Sequence, residues 1–397
     1  MLKKNRVVVK FGGEDLAVPD RVRRAADLIA KSGYREIVVV VSAVGKTTDQ
    51  LLGFASLAGD GERSVESAEI ISMGERTAAR IMTSALRSAG CEARFFDPAD
   101  ADWPIVTNAQ SHGATVDLVV TRKRVRKYVE PLLGKVVPVV CGFLGRVGKT
   151  VTTLGRGGSD TTAMVLANCL HAGEILLVKN TEGIHSADPR LVPGAGPLER
   201  LSIHEMFALA HGGAKVVRAE SLRYKLPGQR LRIVSLHTKS LQKGGTEITG
   251  QFDPLKPVIQ THAGLAAVTG VAPDGHAWLA RLTAGIAGRR VYGVTTGESS
   301  VTLFVEAREL TQLLRRLHRS RAFRALATQD KIGLLSLTHP AFVDSPGGIA
   351  KVSSILFSRN INIIEMSTSK ATIGVFVPED RLAQAKLVLS EALEVSV

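Results

Sequence analysis

Four short runs of apolar and β-branched residues within the first 180 positions each break off at a glycine or a small polar turn, and this pattern restricts the fold more than any other feature. RVVVKFGG starts at residue 6, EIVVVVSAVG at 36, VVPVVCGFLG at 136 and EILLVKN at 174. Runs without hydrophobic alternation are strands covered on both faces, as in a parallel sheet. Between them VRRAADLIAKSG and ERTAARIMTSALRSAG carry apolar residues at helical spacing and end in Gly, a common helix terminator. The expected class is α/β, a parallel-rich sheet between helices, and such sheets bind ligands at the turns that follow their strands.

With 397 residues the chain exceeds what one core usually serves. The pattern changes near residue 250, where GGTEITGQFDPLKP is rich in turn residues. Beyond it short strands (AAVTGVAP, SSVTLFVE, GLLSLTHP, ATIGVFVP) mix with amphipathic helices (ELTQLLRRLHRS, GIAKVSSILFSRN, RLAQAKLVLSEAL), an α+β character. The expected domains are 1–250, 251–330 and 331–397. The middle one lacks a clear first helix, since LTAGIAGRRVYGV is too short.

A content of 45% hydrophobic and 22% charged residues excludes disordered and fibrous classes. The opening MLKKNRVVVKFGG is too short in its apolar part for a signal peptide, so a cytoplasmic protein without membrane partners is expected. Cys91, Cys141 and Cys169 show no metal-ligand or redox spacing, and they read as buried thiols with no metal site. The net charge of +14 and the run TRKRVRKY at 121–128 raise nucleic-acid binding. No helix-turn-helix, zinc or RNP pattern accompanies the run. It reads as a solvated helix face, with an anionic substrate such as ATP accounting for part of the charge and no nucleic-acid partner.

Three turns carry candidate chemistry. In Lys10-Phe11-Gly12-Gly13 the glycines let backbone N–H groups approach phosphate oxygens and the lysine can neutralise a transferring phosphoryl group, although a plain turn reads the same way. The stretch 152–162, TTLGRGGSDTT, offers hydroxyl and N–H donors before a helix, with Arg156 able to grip a carboxylate and Asp160 alternatively a cap. The third, NTEGIHSADPR at 180–190, contains Asp188 and Arg190, which could equally form a structural pair.

Taken in order, KFGG, VSAVGKTT, SMGE, TTLGRGGSDTTA, SADPR and GGAKVV resemble the motif set of the aspartokinases over about residues 7–235. The resemblance implies the amino-acid kinase fold and transfer of the ATP γ-phosphoryl group, with Mg²⁺, to the β-carboxylate of aspartate. It implies catalytic roles for Lys10, Asp160 and Lys215. Substrate binding would fall to Ser42, Thr48, Glu75, Arg156 and Ser159. ATP binding would fall to Lys10, Gly12, Gly13, Asp188, Arg190 and Lys215. A second resemblance, from HPAFVDSPGGIAKV to ATIGVFVP, is to ACT modules. It implies an amino-acid effector held by Ser345, Pro346, Gly347 and Gly348, with Asn360 and Asn362 at the start of the next strand, and a homodimer or higher homo-oligomer formed through these modules.

The chain departs from the aspartokinase pattern in charged places. Two hydroxyl residues usual after KFGG are Glu14 and Asp15 here, the usual Thr-Asp opening of the nucleotide loop is Lys179-Asn180, and the usual His-Pro is Arg218-Ala219. A carboxylate ~4 Å from a phosphate costs a few kcal/mol at an effective dielectric near 20. Either these side chains turn outward or the site has changed. A same-fold kinase with another acidic substrate, or an inactive amino-acid sensor, are the competing readings. Retention of Lys10, Glu75, Arg156, Asp160 and Lys215 argues against the sensor.

Overall fold

The computed structural model describes residues 2–57, 64–155, 157–211, 217–251, 256–271, 282–283, 285–321, 323–339, 342, 347–369 and 371–393. Contacts divide the chain into two units, Met1–Phe252 and Asp253–Val397.

The first unit opens with β1 (Lys3–Phe11), α1 (Pro19–Ala30), β2 (Glu36–Val41), α2 (Thr47–Leu57), α3 (Val65–Ser88) and β3 (Ala93–Phe96). It continues through α4 (Leu118–Arg124), β4 (Val137–Cys141), the hairpin of β5 (Leu144–Val147) and β6 (Thr150–Thr153), α5 (Gly158–Leu170) and β7 (Ala172–Lys179). It ends with β8 (Arg200–Ser202), α6 (Ile203–His211), β9 (Arg230–Ser235) and β10 (Thr246–Thr249). Eight strands make one sheet in the order β3-β4-β2-β1-β7-β9-β10-β8. From β3 to β9 every neighbouring pair is parallel. Val7, Val8, Val9, Val38 to Val41 and Ile175 to Val178 have no solvent exposure, which is why these strands read as unbroken apolar runs. Every residue of α5 is buried as well.

Two elements differ from expectation. Helix α3 begins at Val65, ten residues before the periodic stretch that announces it, with the Ser64 side chain accepting from the Ser67 N–H as its cap. Its middle holds Gly74, where a Cβ would lie 2.7 Å from Cβ of Ala43. The glycine lets the helix cross close to the turn after β2, and it interrupts the helical signal in the sequence. The basic run is not a uniformly solvated face: Arg122 donates to Asn168 Oδ1 (2.9 Å), Arg124 Nε donates to the Trp103 carbonyl (2.7 Å), and Val125 and Val129 are buried. Cys141 and Cys169 are buried, whereas Cys91 is half-exposed. Among the described residues no helix is long and apolar enough to cross a membrane.

The second unit contains β11 (Val258–Val271), β12 (Val291–Thr296), β13 (Ser300–Glu306), α7 (Leu310–Arg319), β14 (Ala325–Thr338), α8 (Gly348–Phe357), β15 (Glu365–Ser369), β16 (Thr372–Pro378) and α9 (Leu382–Ala392). Its strands form one antiparallel sheet, β12-β13-β11-β14-β16-β15. Phe304 of β13 and Phe376 of β16 stack with centroids 3.7 Å apart although β11 and β14 separate them in the sheet. In a flat sheet they would be ~14 Å apart, so the sheet folds over. The bend falls where the β11 register shifts between His262 and Leu265 and where Lys331 of β14 takes a positive φ of 56°. Each half then covers its outer face with helices. Leu313 and Leu317 of α7 pack on Val268, Val301 and Val305, while Val352 of α8 and Leu389 of α9 pack on Leu335 and Val375.

Position 330, where the expected domain limit falls, lies inside β14. The LTAGIAGRRVYGV stretch divides: Leu282 and Ile286 pack into the α7 core, and Val291 begins β12. The strand expected to begin at Asn360 begins at Glu365 instead. Asn360, with φ of 53°, turns the chain out of α8, and the Ile361 N–H closes back on the Leu356 carbonyl (3.0 Å). Asparagine tolerates this left-handed conformation, which explains why it terminates a helix rather than opening a strand.

Candidate active site

The carboxyl ends of β1, β2, β4 and β7 converge, as parallel pairing requires, and the sequence motifs sit on them. From the end of β2, the Ser42 N–H donates to the Phe11 carbonyl (3.1 Å) and its hydroxyl donates to Ser159 Oγ (2.9 Å). Ser159 comes from the first turn of α5, brought close because Gly142 follows β4: a Cβ there would lie 2.6 Å from Cβ of Ser159 and 2.8 Å from the Val41 carbonyl. Only glycine allows the helix to approach the sheet so nearly.

Lys10 and Asp160, both buried, form an ion pair of 2.8 Å, and Asp160 Oδ2 also accepts from the Arg218 N–H (3.3 Å). Burial opposes ionisation of Asp160, but the charges of Lys10 and Lys179 and the bonds it accepts outweigh this and hold its carboxyl below the usual range. An ionised Asp160 thus fixes the Lys10 ammonium at the strand end.

Glu75, on α3, is buried. One of its oxygens accepts from the Ala43 N–H (3.1 Å), and the other, also buried, has no hydrogen-bond partner among the described residues. Burial pushes its carboxyl up to about 7, against the pull of the Ala43 N–H and of its own backbone N–H. A buried carboxylate oxygen without a partner is costly, and a cationic ligand removes the cost.

The two residues after KFGG go opposite ways. Glu14 is exposed. Asp15 is buried, and its Oδ2 accepts the Gly12 N–H (2.8 Å), the very donor that the sequence offers to a phosphate. The Gly13 carbonyl accepts from the Gly45 N–H (2.9 Å), which ties the turn to the one after β2. Lys179, at the end of β7, comes within the field of Asp15, Asp160 and Lys10. Asp15 and Lys179 enter the sequence reading only as departures, and the structure makes them members of the site. The signal was available: a charged residue ending an apolar parallel strand is placed at the ligand-binding edge.

Thr48 stands half-buried at the start of α2, and no contact joins it to these residues among those described. Asp188 and Arg190 bind each other in bidentate fashion on the surface, through Nε (3.1 Å) and NH2 (2.8 Å), which realises the structural-pair reading of that loop. Past the end of β9, a cavity of about 380 Å³ is lined by Glu182, Leu198, Ser235, His237, Thr238 and Lys243. Arg156, Lys215, Ser345 and Pro346 lie outside the described residues. Gly347 caps α8 with φ of 90° and Gly348 is its first residue.

Residues 5–235 match the amino acid kinase family. Over 98% of its length the chain is 32% identical to the aspartokinase of Corynebacterium glutamicum, covering 96% of that protein. The aspartokinase of Mycolicibacterium smegmatis is 32% identical, with 97% of this chain and 95% of that one covered. Among solved structures, aspartate kinase from Synechocystis superposes with a TM-score of 0.71 at 24% identity, over 99% of this chain and 70% of that one. Aspartokinase III of E. coli, in complex with aspartate and ADP, has a TM-score of 0.57 at 22% identity over 98% of this chain and 99% of that one. With Lys10, Ser42, Ser159 and Asp160 gathered at one edge of the sheet and its length shared with these relatives, the chain belongs to the amino acid kinase family and, within it, to the aspartokinases.

Proposed function

We propose that the protein is an aspartate kinase that transfers the γ-phosphoryl group of ATP to the β-carboxylate of L-aspartate, giving 4-phospho-L-aspartate and ADP. The observation that carries the reading is Glu75: a buried carboxylate with one oxygen engaged and the other unpartnered calls for a cation, and the α-ammonium of an amino acid supplies it. Ser42 and Ser159 stand beside it to receive the rest of the amino acid, and Arg156 would take the α-carboxylate.

The nucleophile is a carboxylate, ionised at neutral pH, so no general base is needed. Its oxygen forms the new bond to phosphorus as the bond to the ADP oxygen breaks, and the electron pair leaves with ADP. What remains is to bring two anions together and neutralise the charge on the moving group, a task for Lys10, held by Asp160, and for Lys215. The nucleotide would extend toward the cavity beyond β9. Among the described residues no group of three or more His, Cys, Asp or Glu could hold a metal ion. Mg²⁺ would enter with the nucleotide and offset part of its phosphate charge.

We place the enzyme in the cytoplasm, where ATP is found and where the three free cysteines stay reduced. The second unit would form homo-oligomers and bind an amino-acid effector near Gly347, Gly348, Asn360 and Asn362. An assay of ADP release across a panel of amino acids tests the catalytic reading. Aspartate is expected to give the highest kcat/KM; a preference for another amino acid, or no turnover with any, contradicts it.

A further inference from the structure

The pairing of β1 with β7 sets Lys10 opposite Leu177 and Phe11 opposite Val178, so Lys179 emerges one step further, level with Gly12. Asp15 turns back onto that same Gly12. Two lysines and two aspartates therefore crowd one strand end, and their formal charges cancel. They are not equally matched. Lys10 has Asp160 at 2.8 Å, whereas Lys179 makes no ion pair with any carboxylate among the described residues. One oxygen of Asp15 is buried without a hydrogen-bond partner. Burial and the Lys10 charge both push the Lys179 ammonium toward its neutral form, with Asp160 and Asp15 acting in the other direction. Two lysines at adjacent strand ends, each within the other's field and one of them without an ion pair, suit an anion of more than one charge.

We propose that Lys179 is a further phosphate-binding cation of the transfer site, beside Lys10 and Lys215, replacing the Gly12 N–H that Asp15 has taken, and that Asp15 is a positioning residue that offsets the added charge while nucleotide is absent. The inference rests on the aspartate kinase reading for the identity of the anion, the polyphosphate of ATP. It accounts for two departures at once. Asp15 alone would repel phosphate and Lys179 alone would leave a half-buried cation unbalanced, but the fold brings the two sequence changes to the same place. Glu14, exposed, takes no part.

The test is calorimetric titration of ADP and of inorganic tripolyphosphate into the full chain and its Lys179→Met, Asp15→Asn and Asp15→Asn/Lys179→Met variants. Lys179→Met is expected to weaken tripolyphosphate binding by about tenfold or more, the scale of a lost charge-assisted contact, while the KM for aspartate stays near its wild-type value. General loosening of the site would raise both. Binding of tripolyphosphate by Lys179→Met as tight as wild type overturns the inference. If that variant does not fold, the comparison of Asp15→Asn with the double variant decides: tighter binding by Asp15→Asn supports a role for Lys179, and equal binding overturns it. Because tripolyphosphate binding needs no amino acid, a wild-type protein that phosphorylates none while Lys179→Met loses the anion refutes the kinase reading and leaves this inference standing. Aspartate turnover together with an unaffected Lys179→Met does the reverse.

Discussion

At Glu75 one side chain carries both the cost of burying a carboxylate and the means of gripping an ammonium. Its pKa of about 7 places a titration inside the working range. Aspartate binding requires the ionised form, so the KM for aspartate is expected to rise as pH falls below about 7, and Glu75→Gln should raise it at every pH while flattening that dependence. Stability runs the other way. The folded chain holds this proton more tightly than the unfolded one, so the residue's contribution is complete below its unfolded value of 4.5 and is lost as pH rises through about 7. Glu75→Gln should therefore be more stable than wild type at pH 8, by up to ~3 kcal/mol, with a correspondingly higher melting temperature, and show little difference at pH 4. A thermal scan at both pH values checks this. Asp160 is the opposite case: its carboxyl is held down by its lysines, and Asp160→Asn strands Lys10 without its partner. That variant is expected to lose ~3 kcal/mol of stability in urea titration, together with nearly all turnover.

At the level of elements, close approach decides what works. Gly142→Ala would set a methyl group 2.6 Å from Cβ of Ser159, and α5 must shift to admit it. A loss of ~1–3 kcal/mol is expected, with a fall in kcat because Ser159 and Asp160 ride on the same helix; unchanged urea midpoint and kcat would show that α5 is not positioned through this contact. The parallel core was plain from sequence because strands buried on both faces leave no alternation to misread, as Val38 to Val41 illustrate. What escaped reading was governed by tertiary approach or by single backbone angles. The first half of α3 hides behind Gly74, whose reason is Ala43, far away in sequence. VVPVVCGFLG looks like one strand, but the chain turns at Phe143, with φ of 68°, and divides it into β4 and β5. In the site, the motif resemblance pointed to Lys10, Glu75 and Asp160, and the structure buries all three near the ends of β1 and β2. The partnership of Asp15 with Gly12 was not, since it depends on a side chain folding back on its own turn.

For the whole molecule, the second unit makes a self-contained folded sheet with its own helix-covered cores. If it senses an amino acid, lysine, threonine or methionine titrated into the activity assay should inhibit, and a coupling of ~1–3 kcal/mol corresponds to about 5- to 150-fold. Gly347→Asp, which puts a side chain where φ is 90° and a negative charge at the start of α8, should abolish that inhibition while leaving basal turnover intact. An inhibited Gly347→Asp protein would remove this turn from the effector site.

The claim on which the rest depends is that the acceptor is a carboxylate of aspartate. An acyl phosphate is trapped by hydroxylamine, so the decisive measurement incubates the protein with ATP, Mg²⁺, L-aspartate and hydroxylamine and counts aspartyl hydroxamate against ADP. Equal amounts of both are expected, dependent on aspartate and abolished in Lys10→Met. ADP without hydroxamate, or hydroxamate formed from another amino acid and not from aspartate, would contradict the claim.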